Sequence, residues 1–332
     1  MTSRELVYDT LEFNNPKRIP RDLWVLPWAR KFFPDQLLKI QMQYPNDFAK
    51  PVVKYLTPPK AQGNPHSIGE YKDEWGCVFL NKQEGIIGEV KSPLLCNLSE
   101  WEKIVVPNEL LSFEINQIND FCASTDKFIL AGCYQRPFER LQFIRGTENL
   151  YFDIALETPD LFKLIKKVHQ FYLDELEKWS KTDIDGLFLM DDWGSQNSLL
   201  ISPAQWRKIF KPLYKDYIDI AKKYKKKIFM HSDGFILDII QDLIDLGLDA
   251  LNSQLFCMGV PEIGRRFKGQ LTFWGEIDRQ HILSEGSQQE VFDAVDLVKE
   301  NLYSKGGVIA QCEFGPGCKP ENIEAVFQRW DK

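Results

Sequence analysis

No stretch of the 332-residue chain approaches the roughly 20 consecutive apolar residues needed to cross a bilayer, so no membrane span is expected. The segment Met1 to Leu11 is polar and acidic and lacks the apolar core of a secretory signal, which predicts a cytoplasmic protein. No long basic run is present and the formal net charge is -7. The one lysine cluster, Lys222, Lys223 and Lys225 to Lys227, falls where a helix gives way to a strand, and cations favour a helix C-terminus. A nucleic-acid partner is therefore not expected. The seven cysteines are odd in number and scattered, which excludes a disulfide framework and leaves most of them as small buried apolar residues. No low-complexity tract or linker divides the chain. No G-x-G-x-x-G follows any apolar run, so a dinucleotide-binding sheet loses its main support.

What the sequence does have is alternation. From about residue 125 onward, short apolar runs exchange with longer amphipathic stretches. Phe128 to Cys133, Gly186 to Met190, Lys227 to Met230, Asp249 to Ser253, Leu271 to Trp274 and Gly307 to Gln311 read as strands. Between them, 159–180 opens with Pro159 after Thr158, and Pro203 follows Ser202; both are helix starts. Another helix is stopped by Gly247, and 291–302 and 321–330 are helical. Strand–helix alternation implies parallel βαβ units. The fold class is α/β, and a single (β/α)8 TIM barrel spanning 1–332 is the expected architecture, with an irregular N-terminal segment and an inserted hairpin at 74–92 turning at Asn81 to Gly85.

Active sites of such barrels sit at the C-terminal ends of the strands. Here those ends read Asp191-Asp192-Trp193-Gly194, His231-Ser232-Asp233-Gly234, Asn252 to Gln254, Gly275-Glu276 and Gln311 to Glu313. Each alone is weak, since a strand-end Asp often only caps the next helix. Jointly they predict a working site gathered around His231. His231, Asp192, Gln254, Glu276 and Cys318 are expected to line one cavity, walled by Trp193, Trp274 and Phe256 unless those aromatics are ordinary packing.

The stretch DDWGSQNSLLISPAQWRKIFKP (191–212), followed by HSDG (231–234), resembles the uroporphyrinogen decarboxylase superfamily, and its cobalamin-linked methyltransferase branch most closely. YKDEWGCVF (71–79), RGTENLYFD (145–153), TFWGEID (272–278) and GPGCKPENIEAV (315–326) extend the resemblance over nearly the whole chain. The resemblance implies the same barrel fold. Decarboxylases of the family share W-x-M-R-Q-A-G-R, whose arginines hold the acidic side chains of the porphyrinogen. This chain has Trp24-Val25-Leu26-Pro27-Trp28-Ala29-Arg30-Lys31, with Pro27 at the first arginine and Arg30 one place early for the second. The histidine that decarboxylases carry before the terminal PEN motif is matched by Cys312. Both departures speak against porphyrinogen decarboxylation, because a polycarboxylate needs fixed guanidinium partners.

The methyltransferases of the family resemble one another in a zinc site made by His-x-Cys and a late cysteine. The resemblance thus implies zinc on His231, Asp233 (in the place of the first cysteine) and Cys318, with Gln254 or Glu276 as a further contact. Asp191, Asp192 and Glu276 are the expected catalytic residues, orienting substrate or carrying protons. Trp193, Gln254, Trp274 and Arg30 are the expected substrate contacts. The implied activity is transfer of a methyl group to or from a corrinoid cofactor, between small-molecule donor and acceptor. No histidine has an Asp two residues before it, so the D-x-H-x-x-G signature of cobalamin domains is absent, and the corrinoid would come on a separate partner protein. The alternatives are a metal-free decarboxylase of a tetrapyrrole or smaller carboxylic acid, and a non-catalytic tetrapyrrole or corrinoid carrier. A carrier has no need of so many ionisable strand ends.

Overall fold

A computed structural model describes residues 1–332. The six expected strands form, Gly186–Met190 at its expected bounds and the rest with shifted ends, and five others precede them, eleven in all. They are β1 (Arg21–Val25), β2 (Phe48–Ala49), β3 (Gly69–Lys72), β4 (Val78–Asn81), β5 (Glu89–Val90), β6 (Phe128–Ile129), β7 (Gly186–Met190), β8 (Lys227–Ser232), β9 (Ala250–Ser253), β10 (Thr272–Trp274) and β11 (Val308–Phe314). A six-stranded sheet runs in the order β1-β11-β10-β9-β8-β7, every pair parallel, and β2 pairs with β6, again parallel. Parallel neighbours require crossovers, and the amphipathic helices supply them. The longest, Pro159–Ser180, buries Leu161, Leu164, Ile165, Val168 and Leu176 and ends as the spacing predicts. Ser202 caps the helix that starts at Pro203 by accepting from Gln205 N. Gly247 ends the helix Ile240–Leu246 in the left-handed conformation, at φ 93°.

The sheet curls around its own side chains. Phe48, Phe128, Leu130, Phe188, Phe229, Ala250, Trp274 and Ile309 pack together on its inner face. Backbone bonds cross between the two sheets, from Asp47 N to Arg21 O and from Ala131 N to Gly186 O. The N-terminal helix Ser3–Leu11 closes the end where the strands begin, since Arg4 N bonds Asp126 O and Gly307 N bonds Thr10 O. Val7 and Leu11 complete the apolar plug from that side. The opposite end, where the strands finish, is left to polar residues.

The expected 74–92 hairpin is instead part of a three-stranded antiparallel sheet, β3-β4-β5, that begins at Gly69. Its first turn is organised by a buried carboxylate. Asp73 Oδ1 accepts from Trp75 N and Cys77 N, and its other oxygen holds the Arg140 guanidinium. That long-range ion pair leaves no local trace, which is why the first strand was not legible. No helix of the chain is long and apolar enough to cross a membrane.

Candidate active site at the strand ends

Side chains alternate along a strand, and the inner plug fixes the phase. Phe188 on β7, Phe229 on β8, Trp274 on β10 and Ile309 on β11 point inward. Counting on by twos brings Asp192, His231 and Asp233, Glu276, and Gln311 and Glu313 to the same inner face above the plug. Asp191 and Trp193 fall on the other phase and face the helices.

That phase decides their chemistry. Asp191 is fully buried and accepts from Phe138 N at 2.9 Å, Glu139 N at 2.8 Å and Tyr214 Oη at 2.7 Å. It therefore caps the helix Pro137–Arg145, whose own first residues supply no side-chain cap. Burial raises its carboxyl above the ordinary range. Trp193 is also fully buried, stacked on Phe138 at 4.2 Å, with Nε1 donating to Tyr214 Oη. Trp274 fills the inside of the sheet and donates from Nε1 to Asp22. Of the expected aromatic walls, only Phe256 lines a cavity, of about 310 Å³, together with Gln254, Glu276, Cys257, His281 and Arg279.

His231 is the organiser expected of it. Its Nδ1 lies 2.5 Å from Asn252 Oδ1, and Asn252 Nδ2 donates to Trp274 O. A carbonyl oxygen only accepts, so the amide orientation is fixed and Nδ1 must carry the proton. Nε2 then faces Asp192 Oδ1 at 3.4 Å and Asp233 Oδ1 at 3.7 Å. Ligand atoms of Asp192, His231 and Asp233 all lie within 4.8 Å of one another. Asp233 does not cap a helix; its backbone N–H donates to Asp192 Oδ1 at 2.9 Å, tying the two aspartates together. Gln254 Oε1 accepts from Gly234 N and so braces the same loop.

Cys318 stands apart from this group. Its thiol approaches Glu313 O at 3.5 Å, and burial pushes it up to about 11. Arg30 lines a separate cavity of about 440 Å³ with Trp24, Lys50, Tyr134 and Glu313. The expected residues thus converge on one end of the sheet but not in one cavity: His231, Asp192 and Asp233 form the centre, Gln254 and Glu276 flank it, and Cys318 and Arg30 lie beyond Glu313.

Arg279 was not anticipated. It lies in the loop after β10 and donates to Asp233 Oδ2 and, at 3.0 Å, to Glu276 Oε2, with Glu313 Oε1 at 3.7 Å. It is the counter-charge for Asp233, Glu276 and Glu313, which it draws together. An arginine three residues past an inward glutamate was the available signal. Glu276 is 2% exposed, and burial pushes its carboxyl well above the ordinary range in spite of Arg279. Glu139, next to Arg136, is likewise raised by burial and by the charges of Asp192 and Asp191.

The centre fits one divalent cation. It offers one imidazole nitrogen and two carboxylate oxygens, and Asp233 Oδ1 is buried without a hydrogen-bond partner. Zinc accepts such N and O donors, and three protein ligands leave a coordination position for substrate. The Asn252 contact to Nδ1 is the outer hydrogen bond that fixes a ligating imidazole.

Residues 75–332 match the family model described as Uroporphyrinogen decarboxylase (URO-D). The comparison with curated proteins gives no match. Among solved structures, a methyltransferase from Methanosarcina mazei superposes with a TM-score of 0.71 over 100% of this chain and 98% of that one, at 13% identity. That likeness speaks for the fold alone. A B12-independent methionine synthase from Shewanella sp. W3-18-1 covers 65% of each chain at 10% identity with a TM-score of 0.45, too distant to argue from.

Proposed function

The chain belongs to the uroporphyrinogen decarboxylase family, and from that premise we propose that it is a zinc-dependent methyltransferase, moving a methyl group to or from a corrinoid cofactor or its carrier protein. The observation that carries the metal is the Asp192–His231–Asp233 group, with its orphaned carboxylate oxygen and correctly held imidazole. Its fold neighbour from Methanosarcina mazei is a methyltransferase, which supports the reaction class. The corrinoid rests on the resemblance of the DDWG and HSDG segments to the cobalamin-linked branch. We infer in addition that the two parallel sheets close into one eight-stranded barrel, since backbone bonds cross both seams.

Bound at this centre, zinc would act as a Lewis acid on a substrate thiol or oxygen. The chain's own residues do the rest. Asn252 holds His231 with its proton on Nδ1. Arg279 neutralises Asp233 on the side away from His231, so that Asp233 Oδ1 stays free. Glu276, whose carboxyl burial raises well above the ordinary range, is the candidate proton carrier beside that carboxylate. Asp191 has no part in this; it positions the helix that carries Glu139.

A decarboxylase of polycarboxylates is the poorer fit. Pro27 stands where the family's decarboxylases carry the first arginine of their substrate-holding loop, which leaves Arg30 as the one guanidinium of that stretch for a polycarboxylate.

The test is turnover. With methylcobalamin and a thiol acceptor, the protein should discharge the cobalt-bound methyl group, seen as loss of the methylcobalamin absorbance, and His231→Ala should slow this at least about a hundredfold. Equal rates with wild type, His231→Ala and no protein would overturn the proposal.

A further inference from the structure

A second cavity lies beside the centre, not over it. It has a volume of about 670 Å³, in the range of a small-molecule site, and is walled on one side by the β3-β4-β5 sheet. Its inner end is formed by Arg136 and Glu139. Glu139 N donates to Asp191 Oδ1 at 2.8 Å, one residue from Asp192, so this end lies beside the metal group. Glu139 Oε2 is buried there without a hydrogen-bond partner.

The walls are aromatic and acidic. Three of the aromatic faces already carry resident cations: Arg140 lies 5.0 Å over Trp75 and 5.3 Å over Phe143, and Lys50 lies 5.0 Å over Tyr134. Tyr55 and Tyr71, both half-buried, have no such partner. They are grouped with Glu74 and Glu175: Tyr55 feels both carboxylates, Tyr71 feels Glu74, and Glu74 acts on Glu175. Asp73 is spent on Arg140, but Glu74 and Glu175 form no ion pair. Glu175 is buried at the back of the cavity on a single hydrogen bond from Gln135, at 2.7 Å. Aromatic faces with a nearby uncompensated carboxylate are the surroundings that recognise a methylated onium ion.

Resting on the methyltransferase reading, we propose that this cavity binds the methyl-bearing substrate as a quaternary ammonium ion, held by Tyr55 and Tyr71 over Glu74 and Glu175, with a methyl group presented past Glu139 toward His231. Transfer from such a donor breaks one C–N bond with the electron pair left on nitrogen. A neutral tertiary amine departs, and the methyl joins the electron-rich corrinoid acceptor, whose charge rises by one.

Calorimetric titration with choline and with 3,3-dimethyl-1-butanol, its uncharged carbon isostere, tests the proposal. Choline should bind saturably and the isostere at least about tenfold more weakly. Tyr71→Leu and Glu74→Gln should each weaken choline about fivefold or more and leave the isostere unchanged. His231→Ala should bind choline as the wild type does, so a failure of the methyl-transfer reading leaves this result standing. No saturable choline binding, equal affinity for the isostere, or wild-type affinity in both cavity variants overturns the proposal.

Discussion

Glu175→Gln should make the protein more stable at pH 8 and leave it nearly unchanged at pH 4. Glu175 sits on the inner face of the helix Pro159–Ser180, 6% exposed. Burial is the largest cause that moves its carboxyl from the ordinary 4.5 to about 7; the bond from Gln135 and the charge of Arg140 pull it down, and Glu74 pushes it up again. The folded chain therefore holds this proton more tightly than the unfolded chain. Below 4.5 both states are protonated and burial of the neutral acid costs little. As pH rises toward 7, the unfolded chain loses the proton first and gains stability relative to the folded one. Above that window the penalty is the shift times about 1.4 kcal/mol per unit, or about 3 kcal/mol. Glutamine keeps an oxygen for Gln135 Nε2 and turns its amide N–H toward the cavity, so the hydrogen bond survives while the titration is gone. Urea unfolding followed by tryptophan fluorescence should show the variant about 3 kcal/mol more stable at pH 8, or about 5 °C higher in Tm, and close to wild type at pH 4. A variant that is stabilised equally at both pH values, or not at all at pH 8, would refute the reasoning.

Asp191→Asn should cost about 2 kcal/mol in denaturant unfolding, because one of its three donors loses its acceptor, while bound metal is retained; metal loss with unchanged stability would return Asp191 to the catalytic set. Arg279→Gln removes a positive charge from Asp233 and should raise affinity for a divalent ion about tenfold in chelator competition. Weaker metal binding would show that Arg279 holds the centre together instead of competing with the ion. Gly234→Ala should cost about 2 kcal/mol or more, since φ is +77° and a Cβ would lie 2.2 Å from Gly194 O, in a loop pinned by Gly194 N to Asp233 O and Phe235 N to Ser195 O. Wild-type stability in that variant would mean the 194–195 segment yields freely.

The parts of the fold that were legible from sequence are those built by local pattern. Apolar runs such as GLFLM and KIFM had to be strands, and Pro159, Ser202 and Gly247 mark helix ends for reasons internal to a few residues. Two-residue β2 carries no pattern long enough to read, and β3 depends on Asp73 meeting Arg140 from 67 residues away. In the site, the sequence marks Asp191-Asp192 as a strand end, and strand phase decides between the two residues. Extending the inward phase of Phe188 by twos selects Asp192 and sends Asp191 and Trp193 to the helices. Arg279 is on a loop, where strand periodicity does not place it, and its spacing of three from Glu276 is the one sequence hint of the carboxylates it meets. Cys318 matched a family position in sequence, yet the turn Gly315–Cys318 directs its thiol to Glu313 O.

The central claim is that Asp192, His231 and Asp233 hold a divalent metal. Elemental analysis of protein purified without chelator, on the wild type, Asp192→Asn, His231→Ala and Cys318→Ala, tests it most directly. The account predicts stoichiometric metal in the wild type and in Cys318→Ala and its loss from Asp192→Asn and His231→Ala. A wild type free of metal, or metal lost from Cys318→Ala and kept by Asp192→Asn, would contradict it.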